Sequence, residues 1–284
     1  MKKKGKVVIC IPAYPFRPHQ ATLEAIKAEV PFLDESEFDH GISSEIGNPY
    51  ISAARATMLR KALDAKADVI FFLDSDLSWP AGSLLKVVRA EGDVVAGTYR
   101  FKRGDPGDLL GKGAPEGDEA WYMGNYAPDP FGRPQVRADG AIKMHEVPAG
   151  FLKVTRRAIN VFMDKFPELL YGEKCSPHVD LFNHGAHKGA WWGEDFSFSR
   201  RWREECGGEI WCVPDLDIDH NGGGDAASST SAETTCFKGN FHKYLLACPG
   251  GSDSDKPVSP QELKDSVAVA LTPQHAASRS RRAS

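Results

Sequence analysis

No apolar run in this 284-residue chain approaches the roughly 18 residues a membrane-spanning helix requires. The basic opening, Met1-Lys2-Lys3-Lys4-Gly5-Lys6, leads only into the short apolar run 7–11, too brief for the core of a secretory signal. A cytoplasmic setting is therefore the expectation. No C-x-x-C pair occurs among the six cysteines (Cys10, Cys175, Cys206, Cys212, Cys236 and Cys248), so the usual zinc-site spacing is missing and free thiols are expected. Positive charge is not in excess either. A formal net charge of −4 argues against indiscriminate nucleic-acid binding, while leaving room for a local basic groove. No internal repeat is present, which sets aside repeat architectures.

With 41% hydrophobic and 26% charged residues, the chain has a soluble globular composition and enough length to bury a large core. Its most informative stretch is Asp68-Val69-Ile70-Phe71-Phe72-Leu73-Asp74-Ser75-Asp76. The unbroken apolar run reads as a strand buried on both faces, as in a parallel sheet covered by helices. Asp74 and Asp76 then fall at the carboxyl end of that strand, where open α/β sheets place their ligands. Two acids so close repel each other unless a cation lies between them, and a divalent metal suits that place. The plainer reading is that both cap the turn before Trp79.

Val7-Val8-Ile9-Cys10-Ile11-Pro12 is a second buried strand, and the prolines of Ala13-Tyr14-Pro15-Phe16-Arg17-Pro18 dictate a loop after it. Apolar spacing predicts helices over 22–30, with Pro31 beyond the end, and over 51–65, with Ser52 as its cap. Residues 38–48 read as a short strand and loop. A further helix opens at Trp79-Pro80 and continues to Ala90, followed by a buried strand at 93–99. This β-α-β-α-β alternation predicts an α/β fold with a parallel, helix-covered sheet.

Residues 102–140 are dense in glycine, proline and aspartate around Trp121, Tyr122, Met123, Tyr126 and Phe131, and read as an ordered but irregular excursion. A strand at 141–147 and a helix at 155–166 follow. Residues 169–188 read as irregular and carry His178, Asp180, His184 and His187. Trp191-Trp192-Gly193-Glu194-Asp195-Phe196 leads into a helix through Arg203, with both acids at its positive end. A short strand at 210–214 precedes Leu216-Asp217-Ile218-Asp219-His220. A mobile loop is expected at 221–235, short helices at 237–247 and 260–270, and a largely disordered tail over 249–284.

Four features in order make a family pattern: the opening strand with Ile11-Pro12-Ala13-Tyr14, the motif Asp74-Ser75-Asp76, Gly193-Glu194-Asp195 before a helix, and His220 after a late strand. Over residues 6–246 the chain resembles nucleotide-sugar-dependent glycosyltransferases of the GT-A fold, especially the family-2-like enzymes of bacterial and phage genomes. The resemblance implies a Rossmann-like, mostly parallel sheet flanked by helices. It also implies one domain at 1–248, with 102–140 an acceptor-side insertion that matches no family pattern. Metal-dependent hexosyl transfer from a nucleotide-diphosphate sugar, UDP-sugars being commonest, to an acceptor hydroxyl is the implied activity.

By the same resemblance Asp76 holds the metal, Asp74 contacts the ribose or shares the metal, and His220 is a third metal ligand. Pro12, Ala13 and Tyr14 bracket the nucleotide, and Arg55 reaches it from its helix. Asp195 is the general base, with Glu194 as neighbour or substitute. The chemistry is coherent. A metal on the diphosphate stabilises the charge that develops on the leaving group, and carboxylate and imidazole ligands suit Mn²⁺ or Mg²⁺. An inverting transfer also needs a base for the acceptor hydroxyl.

Trp191 and Trp192 suit a sugar face or plain core packing, and the three histidines lack ligand spacing and read as pocket lining or surface. The expected acceptor is a glycan. The alternative is DNA bearing hydroxymethylated pyrimidines, with Lys102, Arg103, Lys112, Arg133, Arg137 and Lys143 lining a strand groove and the target base flipped out. Two other classes compete. A nucleotidyltransferase would carry a glycine-rich phosphate loop where Pro12-Ala13-Tyr14-Pro15 stands, and a non-catalytic sugar-binding protein would not need Asp74, Asp76 and His220 together.

Overall fold

Alternate residues of the apolar runs point to opposite faces of one sheet, and helices cover both. The computed structural model describes residues 5–14, 17–100, 102, 125–127, 129–130, 133–187, 189–222 and 236–237. The first half contains β1 (Gly5–Ala13), α1 (Gln20–Glu35), β2 (Phe38–Ile46), α2 (Ile51–Asp64), β3 (Val69–Leu73), β4 (Leu77–Ser78), α3 (Ser83–Arg89) and β5 (Val94–Ala96). Next come β6 (Asn125–Tyr126), β7 (Ile142–Glu146), β8 (Phe151–Thr155), α4 (Arg156–Lys165), β9 (Leu170–Glu173) and β10 (Ser176–Val179). The last described elements are β11 (Gly185–His187), β12 (Ala190–Trp192), α5 (Glu194–Arg200), β13 (Ile210–Cys212), β14 (Asp219–Asn221) and β15 (Cys236–Phe237).

The central sheet has eight strands in the order β2-β1-β3-β8-β5-β13-β7-β6. β1 runs parallel to β2 and β3, and β13 runs parallel to β5. β8 is antiparallel to both β3 and β5, and β7 is antiparallel to both β13 and β6. Most strands therefore share one direction, and the α/β class predicted from the alternation is the class observed. The departure is β8, which enters between β3 and β5. Sequence order makes those two strands neighbours; in the fold a later strand satisfies the facing edges of both.

One face of the sheet presents Val8, Cys10, Ile70, Phe72, Leu152 and Val154 to α2, α4 and α5. The other presents Val7, Ile9, Ile11, Phe71, Leu73 and Phe151 to α1 and α3. Each fully buried Leu, Ile or Phe in these layers contributes about 1.5–3 kcal/mol. The rings of Phe71 and Phe151 meet edge-on at 4.9 Å, as do those of Phe72 and Phe182 on the opposite face. The end of β3 is thus clamped from both sides.

Several boundaries differ from expectation. α1 runs through Pro31, which is tolerated because that residue lies on the exposed face, where water can take up the carbonyl it leaves unbonded. Ser52 does not cap α2; the helix begins at Ile51 behind Tyr50, without a side-chain cap. α3 begins at Ser83 instead of Trp79, because Gly82 adopts a left-handed conformation (φ 87°) and the buried Glu29 of α1 caps the helix start. The Glu29 carboxylate accepts from the Gly82 N–H (2.8 Å), the Leu85 N–H (3.0 Å) and Trp79 Nε1–H (3.0 Å).

Residues expected to be irregular at 169–188 form two hairpins, β9 with β10 and β11 with β12. Cys10, Cys175, Cys206 and Cys212 are free thiols, and burial pushes those of Cys10 and Cys212 up to about 12. No helix among the described residues is long and apolar enough to cross a membrane. The expectations for 103–124, 223–235, 238–247 and the tail fall outside the described residues.

Candidate active site

Three elements hold the turn after β3. The Asp74 N–H donates to the Gly150 carbonyl (2.8 Å) just before β8. The Ser75 carbonyl accepts from the His19 N–H (2.7 Å) and from Thr22 Oγ1 (3.0 Å) at the start of α1. The Asp76 carbonyl accepts from the backbone N–H (2.8 Å) and side-chain Nδ2 (3.0 Å) of Asn221 in β14. With the backbone fixed this way, the two acidic side chains reach separate partners.

Asp74 turns toward Arg55 of α2. The guanidinium is 1% exposed, donating from Nη2 to Asp74 Oδ1 (2.8 Å) and from Nη1 to Asp195 Oδ1 (3.2 Å). Glu194 Oε1 lies 3.9 Å away, and the ring of Phe182 lies beneath the guanidinium at 5.0 Å. Burial works against the charge of Arg55, but Asp74, Asp195 and Glu194 outweigh it and raise the pKa. Asp74 Oδ2 accepts from the Tyr99 hydroxyl (3.2 Å), a phenol kept protonated by burial and by the surrounding acids. Gly150 makes this packing possible: a Cβ there would lie 2.1 Å from the Tyr99 hydroxyl and 2.3 Å from Asp74 Oδ2.

Asp195 sits in the first turn of α5 behind Gly193. Burial pushes its carboxyl up to about 7; Arg55 pulls it down, while Asp74 and Glu194 push it further up. A carboxylate with that pKa exchanges protons near neutral pH.

Asp76 turns the other way. Its Oδ2 accepts from Lys102 Nζ (2.5 Å), and its Oδ1 is buried without a hydrogen-bond partner, 3.6 Å from His220 Nε2. At 3.6 Å that approach is not a hydrogen bond. His220 Nδ1 lies 2.7 Å from the Arg100 carbonyl. A carbonyl can only accept, so Nδ1 carries a proton, and Nε2 is the ring nitrogen turned toward Asp76. Tyr99 fixes the ring further, edge-on at 5.0 Å. With the imidazole in its neutral form, Nε2 and Asp76 Oδ1 are both acceptors, and a cation between them would satisfy the pair.

Among the described residues no group of three or more His, Cys, Asp or Glu side chains is placed to hold a metal. Asp76 and His220 are the pair available. That number suits Mg²⁺-type sites, where one or two protein ligands are completed by phosphates and water. Asp74, expected to share the metal or touch the ribose, has its oxygens engaged by Arg55 and Tyr99. Arg55, expected to reach a nucleotide, is enclosed by acids instead, because β12–α5 brings Glu194 and Asp195 over the end of α2.

Pro12 and Ala13 are buried at the end of β1, and Tyr14 just beyond is 64% exposed. Trp191 is 74% exposed, whereas Trp192 is buried against Arg200, Arg201 and His187. His178, His184 and His187 do not converge; they sit against Tyr171, Trp191 and Trp192 respectively. Sequence reasoning missed Tyr99 and Gly150, and placed Lys102 only in a nucleic-acid groove. The available signals were a tyrosine at the end of a buried strand and a lone glycine before β8.

No protein-family profile matches the sequence, and no curated protein does. Among solved structures, the chain is similar to GalNAc-T7 in its crystal structure with UDP, GalNAc and Mn²⁺, at 13% identity and a TM-score of 0.40. The match covers 81% of this chain and 46% of the other, so the chain spans less than half of that protein's length.

Proposed function

We propose that the chain is a metal-dependent glycosyltransferase of the GT-A type, moving a sugar from a nucleotide diphosphate, a UDP-sugar in the first instance, to an acceptor hydroxyl. The observation that carries this reading is the buried, unbonded Oδ1 of Asp76 facing Nε2 of His220 at 3.6 Å. These two residues would hold Mn²⁺ or Mg²⁺, with the imidazole favouring Mn²⁺. When bound, such an ion supplies Lewis-acid neutralisation of the departing diphosphate.

The protein groups do the rest. Asp195 takes the proton of the acceptor hydroxyl as its oxygen bonds to the anomeric carbon; the bond to the diphosphate breaks and its electron pair leaves with the nucleotide. Arg55 keeps Asp195 and Asp74 together, and Glu194 adds negative charge at the base. Tyr14, exposed at the end of β1, offers a face to the nucleobase, with Pro12 and Ala13 shaping the edge below it. Trp191, exposed two residues ahead of Gly193, offers a ring face to an acceptor saccharide.

A glycan acceptor is favoured over hydroxymethylated DNA. Lys102, Arg133, Arg137 and Lys143 each pair with a carboxylate (Asp76, Asp129, Asp139 and Glu209), which reduces the charge available to a phosphate backbone. Arg103 and Lys112 lie outside the described residues. The test is a thermal-shift panel of UDP-, GDP- and CDP-sugars with and without Mn²⁺. Stabilisation by one nucleotide sugar, larger with Mn²⁺, is the expected result. No stabilisation by any of them sinks the proposal, and nucleotide release with hydroxymethylated DNA but not with glycans would move the acceptor.

A further inference from the structure

Lys102 stands where an added cation would be felt most strongly. Its ammonium is bound to Asp76 Oδ2, on the carboxylate whose other oxygen faces His220. The side chain is about a third exposed, so it can turn, but the chain just before it is anchored. The Arg100 carbonyl is bonded to His220 Nδ1, and the Tyr99 hydroxyl to Asp74 Oδ2.

We propose that Lys102 is the resident counter-ion of Asp76 and becomes a diphosphate ligand when the site loads, so that divalent cation and nucleotide diphosphate bind cooperatively. This inference rests on the reading of Asp76 and His220 as the cation's ligands. In the unliganded protein the ammonium balances the carboxylate. A divalent ion between Asp76 and His220 takes over that balance and repels the ammonium, which is a compact, three-donor phosphate ligand. The diphosphate is the anion at hand. Metal alone must compete with Lys102, whereas metal with diphosphate gives Lys102 a better partner than the one it loses. Linkage makes the effect reciprocal, each ligand tightening the other by the same factor.

The experiment is Mn²⁺ binding by electron paramagnetic resonance, with and without UDP, in the full-length wild type, Lys102→Met, Lys102→Arg and His220→Ala. In the wild type, UDP is expected to tighten Mn²⁺ by about tenfold or more, within the usual range of coupling between sites. Lys102→Met should bind Mn²⁺ alone about tenfold more tightly and lose most of the coupling. Lys102→Arg should keep it, and His220→Ala should lose Mn²⁺ in both conditions. If His220→Ala loses Mn²⁺ while Lys102→Met matches the wild type with and without UDP, the role of Lys102 is overturned and the cation site stands. If neither variant changes Mn²⁺ binding, or the wild type binds none, the cation site falls and this proposal with it.

Discussion

Two buried charges on successive helices are handled in opposite ways. Glu29 of α1 accepts from three neutral donors, Trp79 Nε1–H and the N–H groups of Gly82 and Leu85. Arg55 of α2, equally buried, faces the acids Asp74, Asp195 and Glu194, so negative charge exceeds positive around it. The first is a satisfied polar group whose work is to start α3. The second gathers three acids about one cation, and there burial above all, with Asp74 and Glu194 adding to it against the pull of Arg55, raises the Asp195 carboxyl to about 7. Satisfied burial serves structure here, and unbalanced burial is the feature on which the proposed base rests.

The comparison breaks most visibly at Asp195. Asp195→Asn should lower kcat by about 10²–10⁴-fold while leaving donor affinity intact, as read by steady-state kinetics and UDP-sugar calorimetry. Lost affinity would instead make the residue a structural or sugar-binding group. Arg55→Met strands three acids and should cost about 3–5 kcal/mol in urea denaturation. Adding Asp195→Asn to that variant should recover part of the loss. Glu29→Gln, by contrast, should cost about 1–3 kcal/mol and leave kcat unchanged, because it only weakens a cap. A fall in kcat matching that of Asp195→Asn would erase the distinction between the two sites.

The smallest expected effect is in pH dependence. As a base, Asp195 should make kcat rise with pH and level off above about 7. Its pKa is raised from 3.8, so its contribution to stability is fully present below that value and declines as pH rises through about 7. Asp195→Asn should remove that decline from the pH profile of thermal unfolding.

The acids of the 74–76 turn, the Gly193-Glu194-Asp195 start of α5 and His220 were legible because each follows a recognisable strand or opens a helix. The sheet class was legible from the alternation of elements. The position of β8 was not, since strand order depends on which late segment fills a gap between earlier ones. Arg55 was seen but misplaced: helical spacing shows which face it occupies, not that residues 140 positions later will close over it. Lys102 sits in a stretch without periodicity, so its pairing with Asp76 had no local signal. Pro31 misled because a proline ends a helix only where its lost bond matters, and on a solvent-facing turn it does not.

The most direct test follows UDP release from a UDP-sugar over time in the wild type and Asp76→Asn, with Mn²⁺ and after chelation. Release that requires Mn²⁺ and is lost in Asp76→Asn is the result this account predicts. Release that survives both chelation and the substitution would contradict it.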